Sequence, residues 1–252
     1  MTHRASLLLV ALPLFAQTPP DITGVWRANL AKSAIPGPAP AEYLVIITRK
    51  DSALTIKTLI VRTPANTKNT ATYDPSTAQT SNWIRGNPTK SHATWEGSTL
   101  KIASSFTFAG ALQSYQDEWT LSSDGTLSNI HTQAPAPVAR VIFEKQPLET
   151  AADFDQPEKT ARDAYQNVQA LNVPASSLLS IMNTYCLSLG VACNHCHING
   201  QWSKDDVPAK ATARKMIAMT RALNVDNFAP RVGVSCYTCH RGNAKPLTIP
   251  LE

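Results

Sequence analysis

Between residues 21 and 145, hydrophobic and polar positions alternate with a period of two, which places successive side chains on opposite faces of a strand. β-branched and aromatic residues fill one set of positions, and the alternation predicts strands at 43–48, 54–62, 68–73, 90–95, 100–106, 116–121, 127–131 and 138–143. Turn signals fall between them at Lys50-Asp51-Ser52, Glu96-Gly97 and Asp124-Gly125. The Asp-Gly pair suits a tight hairpin, whose two central residues both take positive φ. Eight short strands in succession, with no helical period between them, predict an all-β up-and-down antiparallel barrel or sandwich over residues 21–147.

Near residue 148 the pattern changes. Residues 148–156, bounded by Pro147 and Pro157 and carrying Asp153 and Asp155, read as a linker. Beyond it the apolar period moves towards that of a helix. Pro157-Glu158 opens a helix expected to reach about Leu171, since proline is tolerated in a first turn. A second helix is expected over 174–189 with Gly190 as its stop, and a third over 207–223, stopped by Asn224. Residues 157–252 therefore form a second, mainly α domain, with few large apolar side chains for its size. A domain that small gains from something other than side chains at its centre.

The first twenty residues, MTHRASLLLVALPLFAQTPP, place Arg4 before an apolar run from Ala5 to Ala16. The run is too short to span a bilayer, and Pro13 breaks it as a core helix. Its order of parts predicts a signal peptide, residues 1–16, and export to the periplasm. Hydrophobic residues at 43% are enough for packed cores and argue against disorder. Cleavage would remove Arg4 and lower the formal charge from +5 to +4. With no Lys/Arg cluster interleaved with aromatics, a nucleic-acid partner is not expected.

Five cysteines stand at 186, 193, 196, 236 and 239. Four of them build two Cys-x-x-Cys-His units, Cys193-Asn194-His195-Cys196-His197 and Cys236-Tyr237-Thr238-Cys239-His240. Thiols at this spacing reach both vinyl groups of one haem, and the histidine that follows lies under the iron as axial ligand. Two c-type haems are thus expected, on Cys193, Cys196 and His197 and on Cys236, Cys239 and His240. A zinc ribbon and a pair of disulfides are the rival readings. Zinc does not require a histidine directly after each second cysteine, and export favours haem attachment.

A sixth iron ligand is expected from methionine. The helices before the two units can be laid over each other: Met182 and Leu189-Gly190 match Met216 and Leu223-Asn224, an offset of 34 residues in both cases. This register selects Met182 for the first iron and Met216, rather than Met219, for the second. Cys186, four residues after Met182, shares its helix face and is expected beside the first haem. His195, His92 and His131 are expected to bind no iron. Trp202 is expected against a haem edge, and Asp205-Asp206 at the start of the third helix. No Ser/His/Asp set or phosphate loop stands out, and no catalytic residue is expected.

From about Ala164 to Pro246 the chain resembles the cytochrome c subunit of photosynthetic reaction centres and its non-photosynthetic relatives. The resemblance rests on Tyr165-Gln166-Asn167-Val168, Met182, Leu189-Gly190-Val191, the run 193–197, Ala213-Arg214-Lys215-Met216, Met219-Thr220-Arg221 and the run 233–242. In that family each haem follows a helix that supplies an axial methionine from the opposite side, and the matching positions are Met182 and Met216. Photosynthetic members carry four haems in two halves, and this chain resembles one half. The β part is foreign to that family; its opening, Asp21-Ile22-Thr23-Gly24-Val25-Trp26, resembles the Gly-x-Trp start of lipocalin-like barrels. A periplasmic electron carrier serving soluble or membrane-bound redox proteins is the expectation. Its rivals are a haem enzyme or gas sensor with one open iron, and a binding module whose barrel takes a small apolar ligand.

Overall fold

A computed structural model describes residues 18–108, 111–247 and 249; the expected signal peptide lies outside the described residues. Ten strands are present: β1 (Gly24–Ala28), β2 (Glu42–Lys50), β3 (Ala53–Val61), β4 (Thr67–Tyr73), β5 (Thr80–Ile84), β6 (Asn87–Glu96), β7 (Thr99–Phe108), β8 (Ala111–Leu121), β9 (Leu127–Thr132) and β10 (Ala139–Gln146). They form one sheet in the order β4-β3-β2-β1-β10-β9-β8-β7-β6-β5. Pairing of β1 with β10 rolls the meander into a nearly closed barrel. The remaining seam lies between β4 and β5. There the Asn82 side chain acts as a strand: its Oδ1 accepts from the Thr72 N–H at 2.8 Å and its Nδ2 donates to the Thr72 carbonyl at 2.9 Å. An edge satisfied in this way offers fewer free backbone groups to another chain.

Eight of the ten strands fall where alternation places them. The two additional strands are β1 and β5. In β1, Val25 and Trp26 are both buried although they point to opposite faces, so no alternation shows. Trp26 faces the barrel core with its indole N–H donated to the Ile22 carbonyl at 3.0 Å. Strand β5 is polar along most of its length because it borders the seam. The Asp124-Gly125 turn is also wider than a tight hairpin. Leu121 pairs with Leu127, leaving a loop of Ser122 to Thr126 in which Gly125 alone has positive φ, 81°. Asp124 instead accepts from the Thr126 N–H and hydroxyl at 3.0 and 2.7 Å.

Residues Leu148–Asp155, expected as a linker, form a 3₁₀ helix across the outside of the barrel. Phe154 is buried there with Val25, Leu44 and Leu59, giving β2 a covered outer face as well as an inner one. Arg27 fixes the crossing through Asp153 at 2.7 Å and Glu42 at 3.1 Å.

Among the described residues four α-helices follow: α1 (Ala161–Ala164), α2 (Leu178–Leu189), α3 (Pro208–Asn227) and α4 (Cys236–His240). The helix expected over 157–171 is only the single turn α1. Its flanks pair with a neighbouring segment instead, the Ala161 N–H donating to the Val173 carbonyl and the Ala175 N–H to Lys159, at 2.7 and 2.9 Å. The helix stops at Tyr165, whose backbone is extended at φ −127° and ψ 148°, and Asn167 follows at φ 62°. Helix α2 ends at Gly190 in the left-handed conformation, φ 65°, as its sequence predicts. Helix α3 runs past Asn224. That side chain is drawn away from a capping role: its Nδ2 donates to the Val234 carbonyl at 2.8 Å and its Oδ1 accepts from the Gly233 and Val234 N–H groups. Among the described residues no helix is long and apolar enough to cross a membrane.

The helical part touches the barrel at the β5–β6 turn. Asn183 of α2 donates to the Arg85 carbonyl at 2.9 Å, and a Cβ on Gly86 would stand 1.9 Å from the Ser180 carbonyl oxygen. Only glycine permits that approach.

Candidate metal centres

Each Cys-x-x-Cys-His unit is one helical turn. In the first, residues Cys193–His195 are 3₁₀, and the Cys196 and His197 N–H groups both donate to the Cys193 carbonyl, at 3.3 and 3.1 Å. The second is α4 itself, capped by Ser235 and Thr238 and ended by Arg241 at φ 48°. One turn brings cysteines three residues apart onto one side and carries the next residue, histidine, to the end of the turn.

The two histidines are held alike. Nδ1 of His197 lies 3.0 Å from the Trp202 carbonyl, and Nδ1 of His240 lies 2.9 Å from the Asn243 carbonyl. A carbonyl can only accept, so Nδ1 carries the proton in both rings and the Nε2 lone pair is left to a metal. Burial pushes the His197 pKa down, and the Lys210 ammonium adds to this, so the ring is neutral and ligand-competent near neutral pH. Trp202 contributes its carbonyl and also its ring, edge-on to His197 with centroids 5.7 Å apart.

Helix α3 braces both turns. At its start, Lys210 donates to the Trp202 carbonyl at 2.9 Å, the same acceptor that His197 uses. Asp205 ties the loop before it to Arg214 by two bonds of 2.9 Å and to Lys210 at 3.1 Å. These contacts, rather than a helix-opening role, occupy Asp205; α3 starts at Pro208 behind Val207 without a side-chain cap. At its other end, the Asn224 amide grips the chain that leads into Cys236. The two units also approach each other across α2: the Gly242 N–H donates to the Ser188 carbonyl at 2.9 Å, and a Cβ on Gly190 would meet the Gly242 carbonyl oxygen at 2.0 Å.

No disulfide joins any of the five cysteines. Burial raises the pKa of Cys196 and Cys236. Cys186 is pushed up to about 12, first by burial and then by the Cys193 thiol beside it, so it remains protonated. Among the described residues, no three His, Cys, Asp or Glu side chains converge to hold one ion. Met182 is half-buried on α2. Met216 and Met219 lie on α3 with 38% and 47% of their surface exposed. His195 is exposed, and His131 faces Asp117 inside the barrel, far from these turns in its bonding.

Thiols in pairs on a helical turn, a following imidazole with Nε2 free and exposed apolar side chains on α3 and α4 form a donor set that fits covalently attached haem.

The model of the photosynthetic reaction centre cytochrome c subunit family matches residues 121–251, and the chain belongs to that family. The match starts in the barrel's last strands and runs through both Cys-x-x-Cys-His turns. Among curated relatives, the photosynthetic reaction center cytochrome c subunit of Thermochromatium tepidum is 39% identical over 110 residues, 42% of this chain and 27% of that protein. That of Roseobacter denitrificans is 31% identical over 132 residues, 48% of this chain and 34% of that protein. The chain thus spans about a third of the length of these relatives. Among solved structures, a REP1-NXSQ fatty acid transporter (12% identity) and human cRBP IV (15%) each superpose on 51% of this chain and nearly all of their own, with TM-scores of 0.38.

Proposed function

We propose that this chain is an exported electron carrier holding two c-type haems. Cys193, Cys196, His197 and Met182 would hold the first and Cys236, Cys239, His240 and Met216 the second. The observation that carries this reading is the matched pair of imidazoles, each with Nδ1 committed to a backbone carbonyl and Nε2 left as ligand. Family membership supports haem-based electron transfer. The bound haem supplies a one-electron couple. The chain attaches it through thioethers, orients each imidazole, and through methionine sulfur raises the potential above that of bis-imidazole ligation.

The reading includes a division into a β domain, residues 21–147, and a haem domain, residues 157–252, delivered to the periplasm by residues 1–16. Its partners are soluble or membrane-bound redox proteins. Periplasmic expression followed by intact-mass measurement tests it: the mature chain should carry two haems that survive denaturation. A chain with free thiols, or with one haem, overturns it. Met216→His should then lower the potential of one haem and remove its share of the thioether-to-iron absorption band, while Met219→Leu leaves that band in place. The opposite pattern moves the ligand to Met219.

A further inference from the structure

The barrel encloses a cavity of about 180 Å³, open at the end where the β5–β6 turn lies. A cavity of roughly 150 Å³ holds one benzene ring, so this one takes a single-ring molecule with a small substituent. Its lining is not uniformly apolar. Phe106, Tyr115 and His131 form an aromatic file along one wall, with ring centroids 6.3 and 5.4 Å apart. At the inner end of the file His131 donates its Nδ1–H to Asp117 at 2.9 Å, and Asn129 adds a second donor to the same oxygen at 3.3 Å. One oxygen of Asp117 is therefore hydrogen-bonded from within the protein.

Arg85 is different. It lines the mouth of the same cavity, and among the described residues no carboxylate stands within ion-pair distance of it. Its backbone is held in place: φ is 49°, Gly86 is pressed against Ser180, and Asn183 donates to the Arg85 carbonyl. Asp117 is thus hydrogen-bonded within the protein, whereas the Arg85 guanidinium, on a fixed turn at the rim, has no hydrogen-bond or ion-pair partner among the described residues. An aromatic slot behind a guanidinium with no protein partner is complementary to a ring bearing an acid group.

We propose that the barrel interior binds a small aromatic carboxylate, its ring along Phe106 and Tyr115 and its carboxylate on Arg85. A bound ring would lie between the aromatic walls, with His131 Nε2 and the Tyr43 phenol available to a hydroxyl or other polar substituent. Burial keeps the Tyr43 phenol protonated and therefore able to donate. The site involves no haem ligand, so it stands or falls separately from the electron-carrier reading.

Calorimetric titration of the purified full chain with sodium benzoate, toluene and sodium acetate tests the site. Benzoate should bind roughly tenfold or more tightly than either, because only it offers both ring and charge to a charge-assisted hydrogen bond. Arg85→Gln should reduce benzoate to the level of toluene and leave toluene unchanged. Arg85 is exposed, so the variant should fold; if it does not, added salt on the unaltered chain decides, weakening benzoate and sparing toluene. No binding of benzoate, equal binding of toluene, or salt-independent benzoate binding overturns the proposal.

Discussion

The barrel and the helical part differ in what they bury. Inside the barrel, Trp26, Val45, Ile47, Leu54, Leu100 and Phe143 are all at or below 1% exposure. Among the described residues beyond 157, the only buried hydrophobic side chains are Ala161 and Ala175. The large apolar side chains there, among them Met216, Met219, Phe228 and Tyr237, face outward from α3, α4 and the loop between them. The helical part is held by polar ties instead: Asn224 to the 233–234 loop, Lys210 to Trp202, and Arg214 to Asp205. The barrel has the apolar burial to fold by itself, whereas the helical part has little of its own and, on the proposed reading, gains its centre from the haems on its cysteines.

The largest effect expected from this contrast is the loss of haem attachment. Replacing Cys193, Cys196, Cys236 and Cys239 with serine should leave the β circular-dichroism signal and one cooperative melt in place. The helical signal should fall, and protease should cut within residues 157–252. Protection of α2 and α3 in that variant would show that the polar ties suffice.

Phe154 probes the barrel's outer face. It is the largest side chain in the cluster under the 3₁₀ helix, 9% exposed. Phe154→Ala should cost about 3 kcal/mol of barrel stability in a denaturant titration. A change within a few tenths of a kcal/mol would mean that residues 148–155 lie loosely on the barrel and behave as the linker their sequence suggests.

Much of this division is readable in the sequence, and the unread parts have physical reasons. Strands with one wet face show their alternation, so eight were found; β1, with Val25 and Trp26 buried on both faces, and polar β5 do not show it. The repeated Cys-x-x-Cys-His spacing is contiguous in the sequence and stands out at once. The groups that orient the histidines do not, because the carbonyls of Trp202 and Asn243 belong to the backbone and any residue supplies one. Lys210 and Asn224 look like ordinary helix-surface residues; only the fold shows one on the Trp202 carbonyl and the other on the chain entering Cys236. Phe154 appeared in a segment rich in acids and prolines, where a single aromatic gives no period.

The junction between the two regions is tested at Gly86. Alanine there would place Cβ 1.9 Å from the Ser180 carbonyl oxygen and hold a left-handed φ of 79°. The backbone alone makes this cost about 1–2 kcal/mol. The expected outcome is separation of one thermal transition into two, as α2 leaves the β5–β6 turn while each region keeps its own structure. A single unshifted transition would show that the regions are coupled elsewhere, the Lys68–Glu158 pair at 3.6 Å being the next contact to test.

The smallest expected effect concerns the polar ties, and it should appear only in acid. Hydrogen bonds from Arg214, then Lys210 and Asn167, hold the Asp205 carboxyl well below the usual carboxylate range. A carboxylate with a depressed folded-state pKa contributes stability that is fully present above its unfolded value, about 4. That contribution is lost as pH falls from there towards the folded value. At neutral pH the tie should therefore be intact, and below about pH 4 amide exchange in the loop between His197 and α3 should quicken. Asp205→Asn should show faster exchange at neutral pH and little further change in acid, since the titrating group is gone. Asp205 is half-exposed, so solvent screens the pair and the effect should be confined to this loop. The barrel has its own acid-sensitive site in Glu144, whose carboxyl is held low by Asn29 and Lys32, and that exposed tie lies over a complete core. Acid should thus loosen the helical part first. If barrel amides exchange faster than those of the 198–207 loop as pH falls below 4, the polar ties are not what holds the helical part together.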